Sequence, residues 1–224
     1  MYNNKMRFAN YNKSNFFNNI NINNSSMLSI DQLNIARTIA DRNGIPEGFR
    51  EVSAHQVIVD KNLAILLRYA PIDQHPSLGG EHASFIIGSN GVLKGFTRMV
   101  ADYGVAENLP DKATAQSIAL DFLTKTAPEL LAHMSILWIA RHDETVSISD
   151  EKNIQQKHIV SGIKIKALDQ ATGLYFWVIV GCGENIVTFE RDIHWITFPG
   201  RRKTERWLHD TWLNANSDKC IRFS

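Results

Sequence analysis

The chain has 224 residues, 44% of them hydrophobic, and its 24 basic and 23 acidic side chains leave a net charge of +1. That is enough apolar material for one large domain or two small ones, and too little net charge for a general field that would draw the molecule to nucleic acid or an anionic membrane surface. Cys182 and Cys220 lie outside any CxxC or Cys/His spacing and no apolar run approaches the ~20 residues of a membrane-spanning helix, so the chain reads as a soluble cytoplasmic protein without nucleic-acid or membrane partners, disulfide scaffold or metal.

Ten of residues 1–26 are Asn. A tract this polar has too little periodic apolar surface to offset its conformational entropy, and it reads as a disordered tail rather than a signal peptide. Ser29 and Gln32 then form a capping-box pattern ahead of a helical stripe, Ile30, Leu33, Ala36 and Ala40, which Asn43-Gly44 terminates. Strands are expected at Val52–Val59 and Leu63–Tyr69 around an Asp60-Lys61-Asn62 turn. After the Pro71–Gly80 loop come His82–Ser89 and Val92–Val100, joined by Asn90-Gly91, a pair suited to a type I′ turn.

Asp111 begins a second helix with an Ala115, Ile118, Ala119, Phe122, Leu123 face, interrupted at Pro128. Strands follow at Ser135–Ala140, Ile159–Leu168, Leu174–Gly181 and Ile186–Thr197, with a polar loop expected from Arg141 to Lys157. Phe198-Pro199-Gly200 breaks the last strand. Lys203–Ala215 reads as a terminal helix with Trp207, Leu208, Thr211 and Trp212 on its docking side.

The hairpin around Phe85-Ile86-Ile87-Gly88 and Phe96-Thr97-Arg98 is echoed by Val178-Ile179-Val180-Gly181 and Phe189-Glu190-Arg191 at a constant offset of 93 positions. The expected fold is therefore α+β: two repeats of a helix followed by an antiparallel β-meander, plus a C-terminal helix. The corresponding boundaries are a tail at 1–26, repeats at 27–106 and 107–198, and a terminal helix and tail at 199–224.

In the second repeat, antiparallel counting from Gly181 opposite Ile186 sets Ile179 against Thr188, Trp177 against Glu190 and Tyr175 against Asp192 on one face. The other face then carries Phe176, Val178, Val180, Val187, Phe189, Ile193 and Trp195, an apolar floor for a helix. The first face is aromatic along one strand and acidic along its neighbour, so something is expected to cover part of it.

The helix Asp111–Leu123, the strand Ile159–Leu168 and the Asp169-Gln170-Ala171-Thr172-Gly173 turn resemble PepSY-type domains, helix-over-sheet modules of cystatin-like shape, whose Asp-x-x-Thr-Gly turn this segment matches. The turn precedes the third strand of the second repeat, and the first repeat has no counterpart. The resemblance implies a non-catalytic binding or peptidase-inhibiting module, and carries over no catalytic residue.

Glu190, Asp192 and His194 alternate along one strand, which would project them from one face at about 7 Å intervals. They read either as an acid/base set beside Tyr175 and Trp177 or as a solvated polar face; spaced along a strand, they cannot converge on one metal. Arg98 and Arg191 occupy matched positions and suit internal pairing with a buried acid or a helix C-terminus. Cys182 sits in a Gly-Cys-Gly turn where its thiol would be accessible, with nothing nearby in sequence to activate it. No GxSxG, HExxH, P-loop or GxGxxG motif occurs.

The sequence thus favours a non-enzymatic module without cofactors that recognises a peptide or protein through Tyr175, Trp177, Glu190, Asp192 and His194. A small-molecule enzyme with His194 as base and Asp192 or Glu190 orienting it is the alternative, and a homodimer seam on the same face a third.

Overall fold

The computed structural model describes residues 27–149, 155–196, 198 and 200–223. The Asn-rich tract and the tip of the expected Arg141–Lys157 loop fall outside them. Helix α1 spans Ile30–Arg42, and its capping box forms as expected: the Gln32 N–H donates to Ser29 Oγ at 3.2 Å and the Ser29 N–H to Gln32 Oε1 at 2.8 Å. Ser29→Ala removes one of these bonds from an exposed helix start and is expected to lower stability by ~1 kcal/mol in urea unfolding, with Ser29→Asp neutral.

Strands β1 (Phe49–Val59), β2 (Asn62–Pro71), β3 (His82–Gly88) and β4 (Leu93–Met99) form an antiparallel meander. Asp60 and Lys61 both take positive φ, 43° and 68°, the geometry of a type I′ hairpin. Asn90-Gly91 differs from expectation. Gly91 alone is left-handed there (φ 78°), its N–H closes on Gly88 O at 2.8 Å, and the register slips between Ile86 and Ile87, so this is a bulged hairpin rather than a type I′ turn.

Helix α2 (Lys112–Thr126), capped by Asp111, leads through a 3₁₀ segment beginning at Pro128 into β5 (Met134–Ser149), β6 (Gln155–Asp169), β7 (Leu174–Val180) and β8 (Ile186–Ile193). The expected polar loop is corrected: Arg141–Ser149 continues β5 and pairs with β6. Its alternation is genuine, but the residues on the inward side include His142 and Glu144, with only Val146 fully buried. The chain ends in β9 (Trp195–Ile196), β10 (Arg201–Arg202), α3 (Asp210–Ala215) and β11 (Ile221–Arg222). The terminal helix is thus shorter than expected, because Thr204, Trp207 and Leu208 are buried from a non-helical segment that follows the sheet surface.

These strands form one nine-stranded antiparallel sheet, ordered β11-β1-β2-β3-β4-β8-β7-β6-β5, and β9-β10 form a separate hairpin. Both longer helices lie on one face. Leu33, Ala36 and Ala40 of α1 and Ala115, Ala119 and Leu123 of α2 share a core with Leu67, Phe85, Phe96, Phe176, Val178 and Phe189. Phe122 sits edge-on to both Phe96 and Phe189, 5.8 and 5.2 Å between centroids, and knits the two halves of the sheet together. Among the described residues no helix is long and apolar enough to cross a membrane.

The β7–β8 register sets Ile179 opposite Thr188 and Trp177 opposite Glu190, as counted from the sequence, but a bulge interrupts it on each side. Tyr175 therefore faces Ile193 rather than Asp192, and Val180 rather than Gly181 faces Ile186. Val187 and Ile193 move with these slips from the helix-side floor to the cluster around Trp177 and Ile179.

A polar belt closed by the C-terminal strap

The sheet face away from the helices carries a row of buried polar side chains. Cross-strand register aligns Arg68 with Ser84, Ser84 with Thr97 and Thr97 with Thr188, so four adjacent strands contribute one polar residue each. Thr97 and Thr188 share a 2.9 Å hydroxyl contact, and Arg68 Nη1 donates to Ser84 Oγ at 3.3 Å. Glu190 lies one step along β8, opposite Gly95. That position admits no side chain: a Cβ on Gly95 would stand 2.6 Å from Phe189 O and 3.2 Å from Leu208 Cδ1.

The chain's own C-terminal segment, residues 200–213, crosses this face as a strap. Trp207 is 2% exposed, donates its indole N–H to Ile58 O at 2.8 Å and packs edge-on against Trp212. Arg202 meets Glu190 at 2.7 Å, and His209 Nε2 approaches the other carboxylate oxygen at 3.3 Å. Burial alone would raise the Glu190 pKa, but Arg202 and His209 outweigh it and hold the group down at about 2. Glu190 is thus an ionised anchor for the strap rather than a proton shuttle.

Asp210 makes a second anchor. It takes both terminal nitrogens of Arg68, at 2.7 and 2.8 Å, and the Gly79 N–H at 2.5 Å. Beside it His82 is 3% exposed, its Nδ1–H donates to Gly80 O at 2.8 Å, and its Nε2 has no hydrogen-bond partner among the described residues. Burial, then the Arg68 charge, pushes the His82 pKa down to about 4. The Asp210 carboxyl, which burial would raise, is lowered by its neighbours. Because His82 is neutral above about pH 4, the Arg68 charge and the Gly79 N–H do this at neutral pH.

On the β5 side Lys164 places Nζ 4.0 Å from the Trp177 ring centre. Burial pushes its pKa down to about 8 against the pull of Glu190 and Glu144. Glu144 pairs with His142 at 3.0 Å. Beyond the strap, Lys166 Nζ is ringed by Trp195, Tyr175 and Trp138 at 4.6, 4.9 and 5.8 Å, and Trp138 is 43% exposed.

Of the five residues singled out from the sequence, Trp177 and Glu190 are buried under the strap, and Tyr175 is half-buried beside Lys166. Asp192 is the left-handed residue of the β8 bulge (φ 58°) and pairs with Lys94 at 2.6 Å and Arg191 at 3.3 Å. His194 lies beyond β8 and is exposed, its N–H donating to Thr204 Oγ1. The Glu190-Asp192-His194 alternation is therefore corrected: the bulge breaks the period, and the three groups do not share a site.

Arg98 and Arg191 both pair within the chain, but only Arg98 meets one of the expected partners, the end of a helix; the acid that Arg191 finds is 58% exposed. Arg98 donates to Ile186 O and to Gly44 O just past α1, and Arg191 binds Glu129. Cys182 corrects the reading of an accessible thiol: it is buried and donates to Asp102 O at 2.8 Å.

No motif in the sequence marks His82, Asp210, Arg68, His209 or Lys164, and Arg202 stands out there only as part of the basic run Arg201-Arg202-Lys203, not as the buried partner of Glu190. The signal for the first was local, a His and a Ser interleaved with apolar residues in a strand otherwise read as core. Among the described residues no group of three His, Cys, Asp or Glu side chains is placed to hold a metal ion. A groove of about 340 Å³ lies elsewhere, between α1 and β1, where Arg37 and Glu51 neutralise each other at 2.8 Å. No family model matches the chain, and neither a curated protein nor a solved structure matches it.

Proposed function

We propose that the protein is a non-enzymatic binding module that recognises a peptide or protein segment through the part of the second sheet face left open by the strap. The observation that carries this reading is the ring of Trp138, Tyr175 and Trp195 around Lys166. Large, rigid aromatic surface with a cation at its centre suits a segment that presents a carboxylate beside an apolar side chain. Exposed Arg201 and Lys203 and the 91% exposed Phe198 extend the same chemistry at the β9–β10 hairpin. The acidic character read from the sequence is absent from this surface, because Glu190 and Asp192 are internally paired. For the same reason the acid/base reading centred on His194 draws no support from the geometry.

We further read the fold as an internal duplication. The offset of 93 makes Phe96 and Phe189 equivalent, and these two face each other across β4–β8; Gly95–Glu190 and Thr97–Thr188 are then equivalent pairs on either side. A strand order of 1-2-3-4 meeting 8-7-6-5 supports the same view.

Panning a random peptide library on the immobilised protein tests the binding reading. Enrichment of segments pairing Asp or Glu with a large apolar residue is expected, with Lys166→Gln and Trp138→Ser each weakening a selected peptide by about tenfold, or ~1.4 kcal/mol. Peptides that bind both variants as well as the native protein would place recognition elsewhere.

A further inference from the structure

β5 is the outermost strand of the sheet on its side, and part of its edge is open. At Ser147 the outward N–H is already taken by Gly79 O, 2.7 Å away, and at the other end the register slips between Ile136 and Trp138. Outward-pointing backbone groups alternate along an antiparallel strand, so those of Ile139, Arg141, Asp143 and Thr145 point the same way as that of Ser147. None of the four has a hydrogen-bond partner on that side among the described residues.

The side chains on this run are suited to pairing with themselves. Arg141 and Asp143 lie two positions apart on one face, 51% and 45% exposed, and meet each other at 2.8 Å within the chain. Charges of one sign would guard an open edge against pairing. Opposite charges at this spacing instead complement a second copy running antiparallel.

We infer that the protein forms a two-fold symmetric dimer by antiparallel pairing of β5 with β5 of a second copy, with the axis at His142 and Arg141 set opposite the second copy's Asp143. The alternation leaves few choices. Opposed residues must both carry outward backbone groups, which restricts the axis to a residue position; within the charged run these positions are Arg141, His142 and Asp143. The first sets Arg141 against itself and the third sets Asp143 against itself. Only the axis at His142 places opposite charges together, and does so twice by symmetry. The same register brings Ile139 against Thr145, so the open run is used in full and the occupied Ser147 is not required. The two sheets join into one, and the strap and aromatic surface of each copy remain on the same side.

Sedimentation velocity of the full chain across a concentration series, with charge-reversal variants, decides the matter. The native protein is expected to sediment as a concentration-dependent dimer. Arg141→Asp and Asp143→Arg, each of which opposes like charges at both cross-pairs, are expected to raise the dissociation midpoint at least about tenfold. The doubly exchanged Arg141→Asp/Asp143→Arg variant is expected to recover the native midpoint. Both positions are about half exposed, so circular dichroism should confirm unchanged folding. His142→Cys should form a disulfide-linked dimer under mild oxidation, whereas Thr145→Cys, whose own copy lies far from it in this register, should not. A native protein that stays monomeric at every concentration, single reversals that leave a dimer intact, or an exchange variant no better than either single would overturn the inference.

Discussion

Arg202→Ala is expected to lower the stability of the whole domain by about 3–5 kcal/mol, because it strands the Glu190 carboxylate in the interior without its main counter-charge. Both side chains are almost fully buried, 4% and 3% exposed, so solvent screening does little to moderate the loss. Arg202 also donates Nε–H to Thr204 O and Nη2–H to Glu205 O, fixing the path of the strap just before Trp207. The variant should therefore loosen a segment as well as weaken a contact. Protease cleavage after Lys203 or Arg206 should accelerate more than global unfolding alone explains. Glu190→Gln in the same background is expected to restore part of the loss, since an amide costs less to bury unpaired than a charge. Urea unfolding of the two single variants and the double variant measures this. A cost below ~1 kcal/mol for Arg202→Ala would mean that water reaches Glu190 and that this ion pair does not lock the strap.

The same strap shows why parts of the molecule were legible in the sequence and parts were not. Local chemistry was readable: Ser29 with Gln32, Asp111 at the start of α2, and the Trp177–Glu190 and Ile179–Thr188 pairings all follow from short-range rules of capping and alternation. Alternation misleads where one inserted residue changes the period. The bulge at Asp192 turned a regular acidic row into three unrelated environments and carried Ile193 to the opposite face.

Alternation misleads also where polar residues occupy interior positions. His142 and Glu144 made the inward side of β5 look like a loop, and Arg68, His82 and Ser84 were hidden among the apolar residues of β2 and β3. Asp210, the partner of Arg68 and His82, lies more than a hundred residues away from both, and no local pattern marks such a pairing. What could be inferred was a deficit: a face neither wet nor dry needs a cover. That the cover is the chain's own Trp207 segment is a tertiary fact.

Acid is expected to unfold the protein in two overlapping steps that belong to the two anchors of the strap. His82 titrates near 4 in the folded protein and near 6.5 when unfolded, so between those values the unfolded chain binds a proton that the folded protein refuses. Stability therefore falls as pH drops from 6.5 to 4, by about 3 kcal/mol at 1.36 kcal/mol per pKa unit. Glu190, held near 2 against 4.5 unfolded, contributes stability that is complete above pH 4.5 and is lost as pH falls toward 2, again about 3 kcal/mol. Together the two amount to about 6 kcal/mol against the ~5–15 kcal/mol stability of a typical domain, so the acid transition is expected below pH 4, where both losses act. His55, whose pKa is lowered by burial and by Arg222, shifts in the same direction as His82. His82→Gln should consequently remove the larger part, though not all, of the slope between pH 6.5 and 4, while leaving the lower step in place. Urea midpoints at pH 7, 5, 4 and 3 for both proteins read this directly. A native stability that stays flat from pH 6.5 to 4 would show that His82 is protonated in the fold, and its unpartnered Nε2 would then be a donor to Asp210, 3.6 Å away, rather than an orphaned acceptor.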